Sequence, residues 1–402
     1  MTKWLTVIGM GEDGYGGLSA KAQLILQNTD VIVGSTRLLG FLPKLKAERL
    51  EWPQPFSAVV EQIKPLRGRN TVILATGDPM NYGVTRKLLE FIPFEEMTVL
   101  SHLSAFSHAA ARMGWSLPEC DTLTFHGRDV ENIESFIQPG AKLIVLTADA
   151  STIPSVATML TQRGFRSSKI TVLENMGGER ERISHHVANA LALTGFSDLN
   201  TLAIECIAGP TALIWSRVGG LPDDAFMHDG QLTKREVRSA TLSALAPAPD
   251  QVLWDIGAGC GSVGIEWMRS TRGCHAIAFE HNEDRLKMIG HNACQLGTPR
   301  LKIVAGKAPE TLQGQIKPDA VFIGGGVGVG GVFETAWGKL KPGGRMVANV
   351  VTIEGEMHLY DLQEKHGGDL VRMDISNLTN VGPYRAMKPR MAVTQWRTIK
   401  PW

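Results

Sequence analysis

The sequence lacks an excess of charge of either sign, regularly spaced cysteines and long apolar runs. Its 402 residues carry 41 lysines and arginines against 40 aspartates and glutamates, so no overall field favours a polyanion and we expect no nucleic-acid partner. The five cysteines are odd in number and widely spaced, which argues against a disulfide framework or a zinc site and fits a reducing compartment. No apolar run approaches the about 18 residues that a membrane span needs. We therefore expect a cytoplasmic protein with no membrane partner.

What the sequence does contain is an alternation of strand-like and helix-length segments. Short apolar runs that end in glycine or a turn are typical of strands buried on both faces of a parallel sheet, and they occur at 5–8, 71–74, 143–146, 252–256 and 320–323. The predicted class is α/β. Glycine-rich turns open far apart, at Gly9 and Gly257, so each predicts the start of a separate sheet. Glycines, a proline and acids at 218–224 predict domains at 1–218 and 219–402, and a break near residue 115 divides the first into two lobes.

The turn that follows the strand at 252–256 carries a glycine pattern with an acid in front of it. Gly259, Gly261 and Gly264 match the dinucleotide pattern G-x-G-x-x-G, so a nicotinamide cofactor has to be considered. Asp255 argues against it, because a carboxylate at the end of the strand would repel a pyrophosphate but would attract the ammonium and sulfonium of S-adenosylmethionine. Glu280 ends the next strand, where a carboxylate can accept hydrogen bonds from ribose hydroxyls.

Taken together, these residues resemble the class I, Rossmann-like S-adenosylmethionine methyltransferases. The resemblance places 306–309 beside the adenine and 319–326 beside the methyl-transfer cavity. The glycine-rich segment 322–327 lacks the Pro-Pro-aromatic and Pro-Cys motifs of base methylases, and it suits a bulky flat substrate. The cofactor-binding residues that the resemblance implies are Thr233, Asp255, Gly257, Gly259, Gly261, Glu280, Gly306, Lys307 and Ala308.

A helix is predicted to begin just before this turn region. Thr233 and Glu236 have the spacing of a capping box, which by itself would explain both residues. Lys234 and Arg238 are four residues apart and share one helix face. That face either binds substrate carboxylates near the helix N-terminus, which would make both residues catalytic, or is a solvated basic face.

The N-terminal glycine turn differs because it contains acids. Gly9, Gly11 and Gly14 again match G-x-G-x-x-G, but Glu12 and Asp13 lie inside the loop, where a phosphate cradle should offer only N–H donors. A nucleotide phosphate is therefore not expected there. Ser19 is predicted to cap the following helix.

Several further motifs carry a second resemblance, to the two-lobed class III tetrapyrrole methylases. They are the segments at 74–79, 104–106, 124–128 and 173–183, the last reading Glu-Asn-Met-Gly-Gly-Glu-Arg-Glu-Arg from Glu174. Glu12 stands where that family usually has proline. The resemblance implies that the methyl donor lies between the lobes and that the loop at 9–14 faces the macrocycle, where Asp13 orients or protonates it or, on the simpler interpretation, only caps a turn. The implied donor-binding residues are Gly77, Asp78, Pro79, Ser104 and Ala105.

Fused in this order, the halves resemble enzymes of corrin-ring biosynthesis that act on a precorrin. The resemblance implies that the first half methylates carbon 5, that the second removes the ring C acetate carboxyl and methylates carbon 15, and that each half holds one S-adenosylmethionine. We expect no metal and a homo-oligomer. The cations expected to bind substrate carboxylates are Lys234, Arg238, Lys307, Arg385 and Arg390. Two alternatives are a nicotinamide-dependent precorrin reductase and an N-terminal half that only binds the tetrapyrrole.

Overall fold

The computed structural model describes residues 3–191 and 194–402. The chain forms two compact units, Met1–Val130 with Gln138–Leu213 and Glu131–Ile137 with Ile214–Trp402. The first half of the sequence therefore contributes one short segment to the second unit. The domain boundary after residue 218 stays a prediction.

The first unit opens with a five-stranded parallel sheet in the order β3-β2-β4-β1-β5. Its strands are β1 (Leu5–Met10), β2 (Val31–Gly34), β3 (Glu48–Glu51), β4 (Thr71–Thr76) and β5 (Met97–Leu100). The connecting helices are α1 (Ala20–Gln27), α2 (Thr36–Gly40), α3 (Val59–Ile63) and α4 (Thr85–Leu88). Ser19 caps α1 by accepting a hydrogen bond from the Ala22 amide, which confirms the predicted cap.

The second sheet of this unit is mixed and has the order β6-β7-β10-β8-β9. Its strands are β6 (Asp121–Thr124), β7 (Lys142–Leu146), β8 (Lys169–Glu174), β9 (Arg182–Val187) and β10 (Asn200–Glu205), with helices α5 (Ala105–Met113) and α6 (Thr152–Gln162). The chain passes from the first sheet to the second between Leu100 and Asp121. Gly114, in the left-handed region with φ 64°, ends α5 within this passage.

The second unit is built on a seven-stranded sheet in the order β13-β12-β11-β14-β15-β19-β16. Its strands are β11 (Val252–Ile256), β12 (His275–Glu280), β13 (Lys302–Ala305), β14 (Ala320–Ile323), β15 (Arg345–Val350), β16 (Asp369–Met373) and β19 (Val393–Ile399). The strands from β13 to β15 are parallel, whereas β19 runs antiparallel to both of its neighbours. A separate hairpin joins β17 (Ser376–Val381) and β18 (Tyr384–Pro389).

Five helices cover this sheet, and the central strands lie in its core. The helices are α7 (Arg235–Leu245), α8 (Ser262–Ser270), α9 (Glu283–Gln295), α10 (Val332–Lys339) and α11 (Ile353–His366). Every residue of β11 and β14 is buried, as predicted from their apolar runs. Strand order reverses beside β11, because β12 lies on one side of it and β14 on the other. The carboxyl ends of strands at such a switch point are where open α/β sheets bind ligands.

Candidate functional site

The turn after β11 requires glycine because of its backbone conformation. Gly257, Gly259 and Gly261 all lie in the left-handed region, with φ of 70°, 60° and 81°. A Cβ on Gly257 would also lie 3.1 Å from the backbone nitrogen of Gly325, so the two loops approach closely. Gly261 is the N-cap residue of α8. The turn thus brings backbone against the space at the carboxyl ends of the strands.

Asp255 lies behind this turn rather than at its open side. The residue is 1% exposed, and its Oδ2 accepts a hydrogen bond from the Gly264 amide at 2.9 Å. Its Oδ1 is buried without a hydrogen-bond partner among the described residues. Burial, with a smaller contribution from the charge of Glu280, raises the pKa of Asp255 to about 7. The structure therefore places this acid as support for the turn, and a direct contact with the donor's ammonium stays a prediction.

Glu280 ends β12 and faces the ligand space. Its Oε1 accepts hydrogen bonds from the amides of His281 and Asn282, at 2.9 and 3.0 Å, and its Oε2 accepts one from the amide of Gly259 at 2.9 Å. A carboxylate has about four acceptor positions, so Oε2 keeps one for a hydroxyl. The carboxylate is therefore fixed by the backbone and still able to bind a ribose.

A cavity of about 1660 Å³ opens beside these residues. Pockets for one small ligand typically measure ~300–1,000 Å³, so this volume has room for a nucleoside and a second, larger molecule. Gly324, Gly325 and Gly326 form part of its wall, together with residues from the β17–β18 hairpin. The sequence-predicted residues that line it are Thr233, Lys234, Gly257, Gly259, Glu280, Gly306, Lys307, Ala308 and Arg390. Asp255, Gly261, Arg238 and Arg385 do not line it.

Arg238 has a structural position, contrary to the expectation that it shares a ligand-facing surface with Lys234. Its side chain is 0% exposed and pairs with Glu266, with 2.6 Å between Nε and Oε1, and with Asp223. It also donates to the carbonyl oxygens of Thr233 and Leu221. A buried guanidinium is stable only when paired in this way. Arg238 thus fixes the segment before α7 instead of facing the cavity.

The predicted capping box at this helix was wrong. Helix α7 begins at Arg235, its N-cap residue is Lys234, and no side chain in the described part of the chain caps it. The Thr233 carbonyl is engaged by Arg238, and Glu236 pairs with Arg390 at 3.1 Å. Tertiary contacts have therefore replaced the local hydrogen bonds that the spacing suggested.

Asp319 was also wrongly expected beside the cavity. It precedes β14, where its Oδ2 accepts from the Val252 amide at 2.9 Å and its Oδ1 accepts from Lys341 Nζ at 2.8 Å. Val252 begins β11, so Asp319 lies at the amino ends of the strands. Because ligands bind at the carboxyl ends, only the later part of 319–326 reaches the cavity.

A buried amide network at the cavity was missed by sequence reasoning. Asn349 lines the cavity and donates to Thr241 Oγ1 at 2.9 Å, while Gln395 donates to Asn349 Oδ1 at 2.9 Å. These residues come from three distant segments, α7, β15 and β19. No local sequence signal could have brought them together. The network fixes the Asn349 side chain at the cavity wall.

In the first unit, the loop at 9–14 packs against the loop at 77–79 and against His102. A Cβ on Gly9 would collide with the carbonyl oxygen of Gly77 and would lie 2.8 Å from the His102 nitrogen. A Cβ on Gly11 would lie 3.1 Å from His102 Cε1. The Gly77 amide also donates to the Met10 carbonyl at 2.9 Å. Close packing, and not a phosphate, therefore accounts for these two glycines.

The predicted donor-binding residues of this unit stabilise the loops beside that contact. Asp78 Oδ1 accepts from the Met80 amide at 2.9 Å, and Ser104 caps α5 by accepting from the Ser107 amide at 3.1 Å. Gly77 adopts φ 60° and approaches the Leu103 carbonyl, with 3.3 Å from its Cβ position to that oxygen. The structure thus brings 77–79 and 104–105 together at the ends of β4 and β5.

The charged motif at 173–183 forms an ion pair that holds its turn against α5. Arg112 binds Glu181 through two hydrogen bonds of 2.7 and 2.6 Å, and the Gly177 amide also donates to Glu181. These contacts lower the pKa of Glu181 to about 2, and the hydrogen bond from Arg112 contributes most to that shift. The Cβ position of Gly178 lies 2.7 Å from the Glu12 Cβ. Glycine is needed there because the two lobes meet at that point.

Comparisons with known proteins match both units. The protein-family model described as "Tetrapyrrole (Corrin/Porphyrin) Methylases" matches residues 4–192. A second family model, described as "Precorrin methyltransferase domain", matches residues 224–400. A relative from Sinorhizobium sp, named precorrin-6Y C(5,15)-methyltransferase (decarboxylating), is 42% identical over 401 residues, which cover 100% of this chain and 97% of the relative. The chain belongs to the precorrin-6Y C5,15-methyltransferase (decarboxylating) family. It is an S-adenosylmethionine-dependent methyltransferase, and the predicted fold class is confirmed.

Two shorter relatives from Salmonella typhimurium each match about half of the chain. The cobalt-precorrin-6B C(15)-methyltransferase (decarboxylating) is 34% identical over 180 residues, 43% of this chain and 92% of the relative. The cobalt-precorrin-7 C(5)-methyltransferase is 28% identical over 202 residues, 50% of this chain and 98% of the relative. The nicotinamide-dependent reductase alternative finds no support in these comparisons.

Proposed function

We propose that the chain methylates carbons 5 and 15 of a precorrin and removes the carboxyl group of its ring C acetate, with one S-adenosylmethionine site in each unit. The first unit acts at carbon 5, and the second carries out decarboxylation and methylation at carbon 15. The observation that carries the proposal is the second unit's cavity, which combines a backbone-fixed Glu280 with space for a second, larger ligand. The two half-length relatives, each named for one of the activities, support the division.

The residues of the second unit fit the methyl donor. Glu280 has an acceptor position free for the ribose, and Gly257 and Gly259 leave the backbone open to a close ligand. When bound, the sulfonium supplies an electrophilic methyl group for in-line displacement by carbon. The chain's contribution is to hold the two reacting molecules in alignment, which needs little side-chain chemistry.

The cavity of the second unit also carries cations for an acidic substrate. Lys234, Lys307, Lys388 and Arg390 line it, and Lys388 belongs to the hairpin that sequence analysis did not predict. The carboxylate arms of a precorrin require such partners. Arg390 already binds Glu236, so a substrate carboxylate would compete with that exposed pair.

Decarboxylation needs an electron sink, and the conjugated macrocycle provides one. The bond to the departing carbon dioxide breaks, its electron pair enters the ring system, and the electron density reaches the carbon that is methylated. Placing the two steps in one cavity therefore lets the electron density released by decarboxylation be used for methylation. Within the described residues, no group of three or more His, Cys, Asp or Glu side chains could hold a metal ion, and metal-free chemistry stays a prediction.

Mass spectrometry of a turnover with S-adenosylmethionine and the purified precorrin tests the proposal. The wild-type product is expected to gain two methyl groups and lose one carbon dioxide. Asp78→Ala should give a decarboxylated product with one methyl group, and Glu280→Ala a product that keeps its carboxyl group and gains at most one methyl group. Glu61→Ala, at an exposed position on α3, is the matched control.

An unchanged product mass for Asp78→Ala would contradict two active sites and would favour a first unit that only binds the tetrapyrrole. Retention of the carboxyl group in the wild-type product would contradict the decarboxylase assignment. None of the helices in the described part of the chain is long and apolar enough to cross a membrane. Cytoplasmic localisation and a homo-oligomeric state stay predictions.

A further inference from the structure

The loop at 9–14 holds an acid that does not cap its own turn. Asp13 precedes the short turn Gly14–Gly17, yet its side chain makes no capping hydrogen bond there. The interpretation of Asp13 as a turn cap was therefore wrong. The carboxylate is 38% exposed, and its position is fixed by space: its atoms occupy the volume that a side chain on Gly17 would take, and Oδ1 lies 2.7 Å from the Cβ position of Gly11.

His102 is the nearest titratable neighbour of this carboxylate. Its Nε2 lies 3.6 Å from Asp13 Oδ2, and its side chain is only 13% exposed. The ring packs over Gly11, and Nδ1 is buried without a hydrogen-bond partner among the described residues. An unpartnered ring nitrogen at a buried position is unusual unless the group has another task.

The remaining charges near this pair belong to α5, to the turn at 175–181, to α2 and to the loop itself. His108 interacts electrostatically with both Asp13 and His102, and burial together with Arg112 lowers its pKa. Arg112 is bound to Glu181, and Glu12 is bound to Arg37. These neighbours are thus occupied with each other. Asp13 is left as an exposed acceptor with His102 behind it.

We propose that Asp13 accepts the proton that methylation of a ring carbon in the first unit releases, and that His102 is the positioning residue that holds Asp13 for this transfer. The inference rests on the proposed function. It assigns a task to a histidine that sequence analysis did not single out, because the loop after β5 carries no motif that points to it.

The step balances without any further reactant. A neutral ring carbon forms a bond to the methyl group while the bond from that methyl group to sulfur breaks, and the electron pair of the broken bond stays on sulfur. The macrocycle now carries one positive charge. Transfer of one proton from the macrocycle to Asp13 returns the bonding pair to the ring system and restores neutrality. A positioned base typically contributes ~10²–10⁴-fold to such a step.

The test uses the full chain, S-adenosylmethionine and the precorrin, with each methylation followed separately by mass spectrometry. Asp13→Asn is expected to slow methylation at carbon 5 by ~10²–10⁴-fold through kcat, with little change in KM. Decarboxylation and methylation at carbon 15 should keep their wild-type rates, which provides an internal control. Binding of two equivalents of S-adenosylhomocysteine per chain verifies that the variant is folded. Glu61→Gln is the matched surface control.

Two further readouts separate proton transfer from a merely structural effect. Formate should restore carbon 5 methylation to Asp13→Ala, whereas chloride at the same concentration should not. His102→Gln, which keeps an N–H donor, should stay close to wild type, and His102→Leu should lose up to about 10²-fold, the scale of a misplaced reacting group.

The proposal is overturned if Asp13→Asn methylates carbon 5 at the wild-type rate, if formate gives no rescue, or if His102→Leu equals wild type. In each case the wild-type product would still have gained two methyl groups and lost one carbon dioxide, so the proposed function would be unaffected. A wild-type chain that adds no methyl group at carbon 5 would instead refute the proposed function, and this inference with it.

Discussion

The loops that follow the first strand of each unit share the letters G-x-G-x-x-G but satisfy different physical requirements. After β11, the motif glycines Gly259 and Gly261, like Gly257 before them, are needed because the backbone is left-handed there, whereas Gly264 already lies inside α8. After β1, Gly14 is left-handed too, with φ 60°, but Gly9 and Gly11 lie outside that region and are needed because Gly77, His102 and Asp13 fill the space of a side chain. A glycine pattern therefore does not identify a ligand until the reason for each glycine is known.

The acids of the two loops differ in the same way. Asp255 is buried and supports a turn through the Gly264 amide, whereas Asp13 is exposed and has no hydrogen bond from its turn. Sequence position alone suggested a ligand contact for Asp255 and left Asp13 open. The geometry points to a supporting role for the first and a contact role for the second.

The largest effect that tests this contrast is the pH dependence of Asp255. Its pKa is about 7 in the folded chain against 3.8 for the free group, so the folded state holds a proton that the unfolded state releases between these values. The contribution of protonated Asp255 to the free energy of unfolding is therefore complete below pH ~4 and is lost as the pH rises toward 7. Asp255→Asn removes this loss. Between pH 4 and pH 8, the free energy of unfolding of Asp255→Asn should rise relative to that of wild type by up to about 4 kcal/mol. This upper bound follows from 1.36 kcal/mol per unit of pKa difference.

Urea unfolding of the donor-free chain at several pH values measures this difference, with Asp284→Asn on the exposed face of α9 as the control. The prediction is wrong if the free energy of unfolding of the wild-type second unit, measured relative to Asp255→Asn, is no lower at pH 8 than at pH 5. Asp255 would then ionise in the folded chain without any loss of stability. The contrast between the two acids would then disappear.

The next largest effect is expected for Gly9→Ala. The added Cβ would meet backbone atoms, the Gly77 carbonyl oxygen and the His102 nitrogen, and neither can move aside as a flexible side chain does. We expect a loss of about 3 kcal/mol in the first unit, at the upper end of overpacking effects. Thermal unfolding followed by calorimetry should show the transition of the first unit lowered and that of the second unchanged.

A smaller effect is expected for Gly261→Ala. The left-handed conformation costs about 1–2 kcal/mol for a residue with a Cβ. The nearest atom, Ile289 Cγ2 at 3.0 Å, belongs to a side chain that can shift. If the same calorimetry found Gly261→Ala more damaging than Gly9→Ala, the distinction between packing and backbone conformation would be wrong.

Much of the fold could be predicted because the strands are short, buried and locally encoded. The predicted runs 252–256 and 320–323 coincide with β11 and β14, and the Ser19 cap was read correctly. The antiparallel strands β16 and β19 and the hairpin β17–β18 were not predicted. The hairpin strands are largely exposed, so their sequences lack the apolar runs on which the other predictions rested.

The candidate site was less predictable because its residues depend on partners that are distant in the chain. Arg238 was expected at the ligand, but Glu266 and Asp223 bury it. Asp319 was expected at the cavity, but the direction of β14 places it at the opposite end of the sheet. His102 was missed because only the folded chain brings it to Asp13.

The most direct test of the account is a count of donor sites. Calorimetric titration of the full chain with S-adenosylhomocysteine should give two equivalents bound per chain, and Glu280→Ala should reduce this to one. A wild-type stoichiometry of one, or two equivalents that persist in Glu280→Ala, would contradict a separate donor site in each unit.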